Sequence, residues 1–235
     1  AAGTIGHCLQ SLSNLRYPRS LYTILVVDNR STDATREIAK GFQATILQES
    51  GRRSSYAARN AGIRQSSSDI VAFTDADCIA APDWLQHLVA PFIQEDVGAT
   101  TGRIMDFEPS TPVERFIADL GLWNPGEAVS GWPIVLTGNA AVRRRCLLQL
   151  GLFNDRLYTG ADVDLGWRIH KQLNQCVIHI PEALVRHKNY ATVPAMYRQF
   201  RRHGFGEILL DALHRKDSGY FRPAGVQLNR MLKQA

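Results

Sequence analysis

The chain is poor in cysteine and spaces it widely. Its four cysteines are Cys8, Cys78, Cys146 and Cys176, and none forms a Cys-x-x-Cys pair. That spacing argues against a zinc site and for reduced thiols in a cytosolic setting, acting as small buried hydrophobes. Long apolar runs are missing too: Ile24-Leu-Val-Val27 is typical, far below the roughly 20 residues of a membrane-spanning helix. No charged, then apolar, then small-residue leader is visible, so export is not expected. No Gly-x-Gly-x-x-Gly follows a strand pattern, which argues against a dinucleotide enzyme. Internal repeats, low-complexity tracts and a clear linker are absent as well.

What remains is ordinary globular material. The 235 residues, 45% hydrophobic and 21% charged, suffice for one large domain with a sizeable core. The net charge of +5 is uneven. Residues 186–235 carry ten Lys or Arg against three Asp or Glu, a local +7, leaving −2 for the rest. A basic tail beside an acidic body fits a polyanionic partner: a diphosphate, an anionic membrane surface or nucleic acid. A solvated basic helix fits the same charges.

The apolar period alternates between strand and helix, which predicts α/β architecture. Strands are expected at Tyr22–Asp28, Ala44–Gln48, up to Asp75, and at Cys176–Ile180 with a break at Pro181. Helices are expected over about 34–40, 54–63, 143–150 and 162–173, with Gly41 and Gly151 as stops. Pro82 opens another at its first position, running to about Phe92, and Thr111-Pro-Val-Glu114 has the form of a capping box. Trp123–Trp132, rich in Gly and Pro, reads as a loop along a surface or cleft.

The most informative stretch is Asp69-Ile-Val-Ala-Phe-Thr-Asp75-Ala-Asp77. A buried strand there stops at two carboxylates one residue apart, at the end of the sheet where open α/β folds bind ligands. Two hard oxygen donors suit a divalent cation whose shell a substrate's phosphates complete. An ordinary solvated turn explains the pair about as well on spacing alone.

With its neighbours this stretch makes the chain resemble the inverting glycosyltransferases of family 2. The matching residues are Val26-Val-Asp28-Asn-Arg-Ser-Thr-Asp33, Ala57-Ala-Arg59-Asn60-Ala-Gly62, Phe73-Thr-Asp75-Ala-Asp77, Pro82-Asp-Trp-Leu85, Thr137-Gly138-Asn139, Gly151-Leu-Phe153-Asn154, Gly160-Ala-Asp162-Val-Asp164-Leu-Gly-Trp167-Arg168 and Pro181-Glu-Ala-Leu-Val-Arg-His187. The likeness implies a GT-A fold over residues 1–190, a mixed, mostly parallel, Rossmann-like sheet flanked by helices. Residues 191–235 would be a basic helical segment packing on it or extending from it. The implied reaction moves a sugar, with inversion, from a nucleotide-diphosphate-sugar donor to the hydroxyl of a saccharide, lipid-linked or peptide acceptor. Such enzymes build cell-envelope polysaccharide, in the cytoplasm or peripherally at the inner membrane face, with no nucleic-acid partner.

The resemblance also assigns roles. Asp28 recognises the nucleotide, and Arg59, Gly138 and Asn139 join it around the donor. Asp75 and Asp77 hold Mg²⁺ or Mn²⁺ against the diphosphate, where a Lewis acid stabilises the leaving group, Asp75 also reaching the ribose. His187 joins the metal or diphosphate, and imidazole suits Mn²⁺ better than Mg²⁺. Asp162 is the general base of a single displacement. On the residues alone, Arg59 reads equally as an ion pair anchoring its helix, and Asp162 as a cap on a helix N-terminus. Arg201 and Arg202, beside Gly204 and Gly206, read either as a hinged lid over the diphosphate or as a lipid contact.

Two departures stand out. Ala161 occupies the place of a Glu that usually precedes the base. The family's first strand, interior to its sheet, has no counterpart before Ile5-Gly-His-Cys-Leu-Gln-Ser-Leu-Ser13. Its loss would leave buried backbone groups unpaired on both neighbours, at roughly 1–3 kcal/mol each, so a fragment of a longer protein or a rearranged register is expected. Two rival readings follow: a nucleotide-sugar-binding pseudoenzyme, from these departures, and a nucleic-acid-binding protein, from the basic tail.

Overall fold

A computed structural model of the chain describes residues 1–121 and 134–217. The run containing Val26 and Val27 forms β1 (Leu25–Asp28), paired in parallel with β2 (Thr45–Gln48). α1 (Ile5–Ser13) lies before them and α2 (Thr35–Lys40) between them. Ile5 and Leu9 of α1 bury against Ile24 and Ala39 to give this half a small core. α3 (Ser55–Gln65) starts as expected, the Ser54 hydroxyl accepting from Tyr56 N at 3.2 Å, which satisfies one of the helix's orphan donors.

The larger sheet has the order β3 (Ile70–Thr74), β6 (Asn139–Arg143), β5 (Val97–Asp106), β7 (Cys176–His187), β4 (Cys78–Ala80). β5 and β7 run parallel, and the other neighbours antiparallel. It is flanked by α4 (Trp84–Val89), α6 (Arg144–Gln149) and α7 (Ala161–Leu173), and α5 (Pro112–Asp119) follows β5 in the chain. The mixed α/β architecture is thus as expected. The capping box of α5 is complete: Thr111 Oγ1 accepts from Glu114 N, and Glu114 Oε2 accepts from Thr111 N.

Several local expectations need correction. β7 does not break at Pro181 but continues to His187, and its register against β5 slips between Gly102 and Arg103. The bulge takes up Pro181, whose missing N–H would be intolerable in a regular central ladder. Pro82 is not the first residue of its helix, because Asp83 takes the N-cap position and Trp84 begins α4. Cys176 is exposed, unlike the three buried cysteines. β4, β5 and β6 are additional strands. The expected loop 123–132 lies outside the described residues, as do residues 218–235 of the tail.

The two sheets are not joined. Among the described residues β1 pairs only with β2, and β3 only with β6, while a cavity of about 770 Å³ lies between them. Val26 and Val27 line it from one side, Val71 and Phe73 from the other, and Ile5 and Trp84 help close it. The interruption falls beside β1, where a first strand was expected to be missing, and the described residues leave it open.

α8 (Val193–His214) is continuous through Gly204 and Gly206, so these glycines are not a break between two helices. Gly206 is buried where a Cβ would collide with Thr159 Cγ2, and a Cβ on Gly160 would lie 2.8 Å from Leu210 Cδ1. Glycine is therefore needed for close approach, and at Gly160 also for a φ of +83°. At its far end His214 bridges Asp164 at 2.9 Å and Asp217 at 2.8 Å, while Arg168 Nε donates to Asp164 at 2.8 Å. α8 thus packs on α7 at both its middle and its end.

Candidate active site

β3 ends at Thr74, and Cys78 N donates to Asp75 O at 3.0 Å, closing a tight turn into β4. The turn that the sequence also allowed is present at Asp75. Asp75 Oδ1 accepts from Arg59 Nη2 at 2.5 Å. Gly138 follows closely, a Cβ there being 3.4 Å from Asp75 Oδ2. Asp77 faces another way. The register that pairs Cys78 with His187 puts the imidazole beside it, His187 Nε2 lying 3.5 Å from Asp77 Oδ2. Asp77 Oδ1 is buried without a hydrogen-bond partner among the described residues.

The electrostatics bind this pair. Burial pushes the Asp77 carboxyl up, but the hydrogen bond and charge of His187 outweigh it and hold it below the usual range. Burial pushes His187 down, and Asp77, with help from Asp75, raises it above an ordinary histidine. Behind them Cys8 is pushed up to about 12 by burial and the two aspartates, so it stays a thiol.

Asp162 lies in the first turn of α7, after Gly160 in the left-handed region. Its Oδ1 accepts from Tyr56 Oη at 3.1 Å and from Val163 N at 3.1 Å, and its Oδ2 from Thr137 Oγ1 at 3.2 Å. Tyr56 Oη in turn accepts from Gly160 N at 3.0 Å. Ala161, in the place of the usual Glu, is buried in the main core. Arg59 lies over the Tyr56 ring, 5.5 Å from its centroid. Tyr56 and Arg59 stand one turn apart on α3, so this helix links Asp162 to Asp75.

Asp28 ends β1 and is 3% exposed. Its Oδ1 accepts from Ser31 N at 3.2 Å, whereas Oδ2 has Arg36 only at 3.7 Å and no hydrogen-bond partner among the described residues. Asp28, Arg59 and Asp75 all line the cavity between the sheets, so they share one cleft.

Other expected site residues fall elsewhere. Asn139 is fully buried, its Oδ1 accepting from Trp84 Nε1 at 2.7 Å and its Nδ2 donating to Arg103 O and Ala183 O. Its amide is engaged in tying α4, β5 and β7 together, which corrects its assignment as a donor contact. Arg201 is exposed on α8, and Arg202 is partly buried. Three residues near Asp162 were given no role by the sequence: Tyr56, Thr137 and His203. Tyr56 and His203 carried no motif signal. Burial and the Arg202 charge hold His203 below an ordinary histidine, against the pull of Asp162.

Among the described residues, no three His, Cys, Asp or Glu side chains converge to hold a metal by themselves. Asp77, with an unpartnered buried oxygen, and His187 do fit a cation whose remaining ligands come from a substrate. No described helix is long and apolar enough to cross a membrane.

A family model described as glycosyl transferase family 2 matches residues 1–139, more than half of the chain. The chain belongs to that family. Glycosyltransferase AglE of Haloferax volcanii is 36% identical over 169 residues, covering 69% of this chain and 55% of the relative. The β-monoglucosyldiacylglycerol synthase of a Nostoc species is 27% identical over 213 residues, covering 84% and 45%. This family 2 chain therefore spans about half the length of the curated relatives it matches. Among solved structures, the mannosyltransferase PcManGT from Pyrobaculum calidifontis, in complex with GDP-Man and Mn²⁺, matches with a TM-score of 0.68 at 22% identity, over 99% of this chain and 66% of that one. GalNAc-T7 with UDP, GalNAc and Mn²⁺ matches with 0.62 at 17%, over 87% and 45%. These likenesses give the family 2 chain the GT-A fold.

Proposed function

We propose that this domain transfers a glycosyl group from a nucleotide-diphosphate-sugar donor to an acceptor hydroxyl, with inversion at the anomeric carbon. The observation that carries the reading is α3, one turn of which joins the donor carboxylate Asp75, through Arg59, to the base Asp162, through Tyr56. Asp162 takes the acceptor's proton while the acceptor oxygen attacks the anomeric carbon. The bond from that carbon to the β-phosphate oxygen breaks, and the nucleoside diphosphate leaves with the electron pair. Asp28 accepts from the base or ribose with its unpartnered oxygen. Gly138 lets the donor approach Asp75, and Arg202 supplies positive charge from α8.

Asp77 and His187 hold Mg²⁺ or Mn²⁺, with Asp75 as an additional ligand once Arg59 shares it. When bound, the metal stabilises the charge developing on the diphosphate. The solved neighbours' complexes with Mn²⁺ and nucleotide ligands support the cofactor and donor class. Acceptors in reach of this chemistry are saccharide, lipid-linked or peptide hydroxyls. The exposed face of α8, which mixes Tyr197, Phe205 and Ile208 with Arg198 and Arg201, supports work at an anionic membrane surface.

A thermal-shift screen of GDP-mannose, UDP-glucose and UDP-N-acetylgalactosamine, with and without Mn²⁺, tests the reading. A cognate donor at a hundredfold excess over its Kd adds about 2.7 kcal/mol, and Mn²⁺ must strengthen the effect. Stabilisation without metal-dependent release of nucleoside diphosphate would favour the pseudoenzyme instead.

A further inference from the structure

The hydrogen bonds around Asp162 are unequal on its two oxygens. A carboxylate has about four lone-pair positions, two on each oxygen. Oδ1 has both occupied, by Tyr56 Oη and Val163 N, whereas Oδ2 receives only Thr137 Oγ1 among the described residues. The polarity of the tyrosine is fixed as well. Gly160 N–H donates to Tyr56 Oη, and the phenol has one proton, so that proton goes to Asp162. Burial, then the nearby Asp162 charge, pushes the phenol well above its usual range, so it stays a donor at any physiological pH.

We infer that Asp162 Oδ2 is the oxygen that accepts the proton, and that Tyr56 and Thr137 are positioning residues which aim it. The inference rests on Asp162 being the base. Both hydroxyls are on different segments from α7, so they fix the carboxylate from outside its own helix. Tyr56 is 5% and Thr137 3% exposed, which locks them by packing. A carboxylate held this way needs no reorientation when the acceptor arrives, which is the part of the barrier that preorganisation removes. Arg59 adds a coupling: it touches the face of Tyr56 and binds Asp75, so the donor end of the cleft bears on the residue that aims the base.

The test compares Tyr56→Phe, Thr137→Val, Asp162→Asn and the double variant Tyr56→Phe/Asp162→Asn. The probes are hydrolysis of GDP-mannose, UDP-glucose and UDP-N-acetylgalactosamine with Mn²⁺, water serving as acceptor. Asp162→Asn is expected to lose about 10²- to 10⁴-fold in kcat. Tyr56→Phe and Thr137→Val are expected to lose about 10- to 100-fold in kcat with KM within about twofold, the effect of one hydrogen bond to a charged group. In the double variant Tyr56→Phe should cost nothing more, since its target is gone. Wild-type turnover in Asp162→Asn overturns the base assignment itself. An inactive Asp162→Asn beside fully active Tyr56→Phe and Thr137→Val overturns only the positioning.

A second measurement needs no turnover. Amide exchange at Gly160 and Val163, followed by NMR, must speed up in Tyr56→Phe, because one amide loses its acceptor and the other a held carboxylate. Unchanged protection at both sites in a folded Tyr56→Phe protein would end the proposal by itself.

Discussion

Two parts of the candidate site differ in how much of their hydrogen bonding the chain completes for itself. At the Asp162 end, three donors from α3, α7 and the segment before β6 hold the carboxylate, and Asn60 locks α3 to Phe153 through a reciprocal pair of bonds at 2.9 and 3.0 Å. At Asp28 and Asp77, one buried oxygen on each carboxylate has no partner among the described residues, and among them no strand fills the sheet beside β1. Unsatisfied buried acceptors cost stability in the absence of a ligand. Among the described residues, the surroundings of Asp162 are therefore complete within the chain, while Asp28 and Asp77 each keep one buried acceptor open.

The sharpest way to break this contrast is at Asp77. If its unpartnered oxygen is a metal ligand, Asp77→Asn keeps the shape of the side chain but lowers Mn²⁺-dependent turnover by about 10³-fold, the loss of several kcal/mol of charge stabilisation. Calorimetric titration should show Mn²⁺ affinity in the presence of donor falling with it. Undiminished Mn²⁺ binding in this variant would mean that the open oxygen is merely strained.

Asn139 probes the completed framework. Asn139→Ala leaves the buried Trp84 indole N–H without its acceptor and removes a donor from Arg103 O and from Ala183 O. The expected loss is about 3 kcal/mol, read as a fall in urea midpoint at constant m. A change below about 1 kcal/mol would show that water replaces the amide and that the site is looser than its geometry.

The same lesson governs how much was legible in the sequence. Carboxylates at strand and helix ends are readable because local turn and cap chemistry fixes them; Asp28, Asp75, Asp77 and Asp162 all fall at such points. Helices with polar caps, such as α3 and α5, were readable for that reason too. β5 was not, since Val97-Gly-Ala-Thr-Thr-Gly-Arg alternates poorly and owes its strand to pairing on both sides. Tyr56 shows the other limit. Its ring reads as one more apolar residue of α3, and only contact with a segment more than a hundred residues away reveals what its hydroxyl does. Asn139 erred in the opposite direction, because a motif says which residues stay together and not whether they hold a ligand or a frame.

Packing gives a smaller, direct comparison of the halves. Val142 of β6 is fully buried, whereas Val27 of β1 borders the cavity. Val142→Ala removes about two methyl groups from a closed core and should cost roughly 2 kcal/mol with its cavity. Val27→Ala should cost under about 1 kcal/mol, because its neighbours on the open side are already missing. Equal losses in denaturant titrations would mean that the cavity closes in solution and that β1 is as well packed as β6.

The smallest effect concerns pH, and it separates the surroundings of Asp162 from the rest of the molecule. His203 on α8 is held below the ordinary histidine value by burial and by Arg202, with Asp162 pulling against them. Its folded value lies below the unfolded one near 6.5, so between the two the unfolded chain binds the proton that the folded chain refuses. Stability then rises with pH through that window and, for this group, is level above about 6.5. Melting temperatures measured from pH 5 to 7.5 should show this rise in the wild type, and His203→Gln should flatten that part of it. Parallel slopes in the two proteins would place the pH dependence elsewhere and remove the reason for treating α8 as part of the electrostatic surroundings of Asp162.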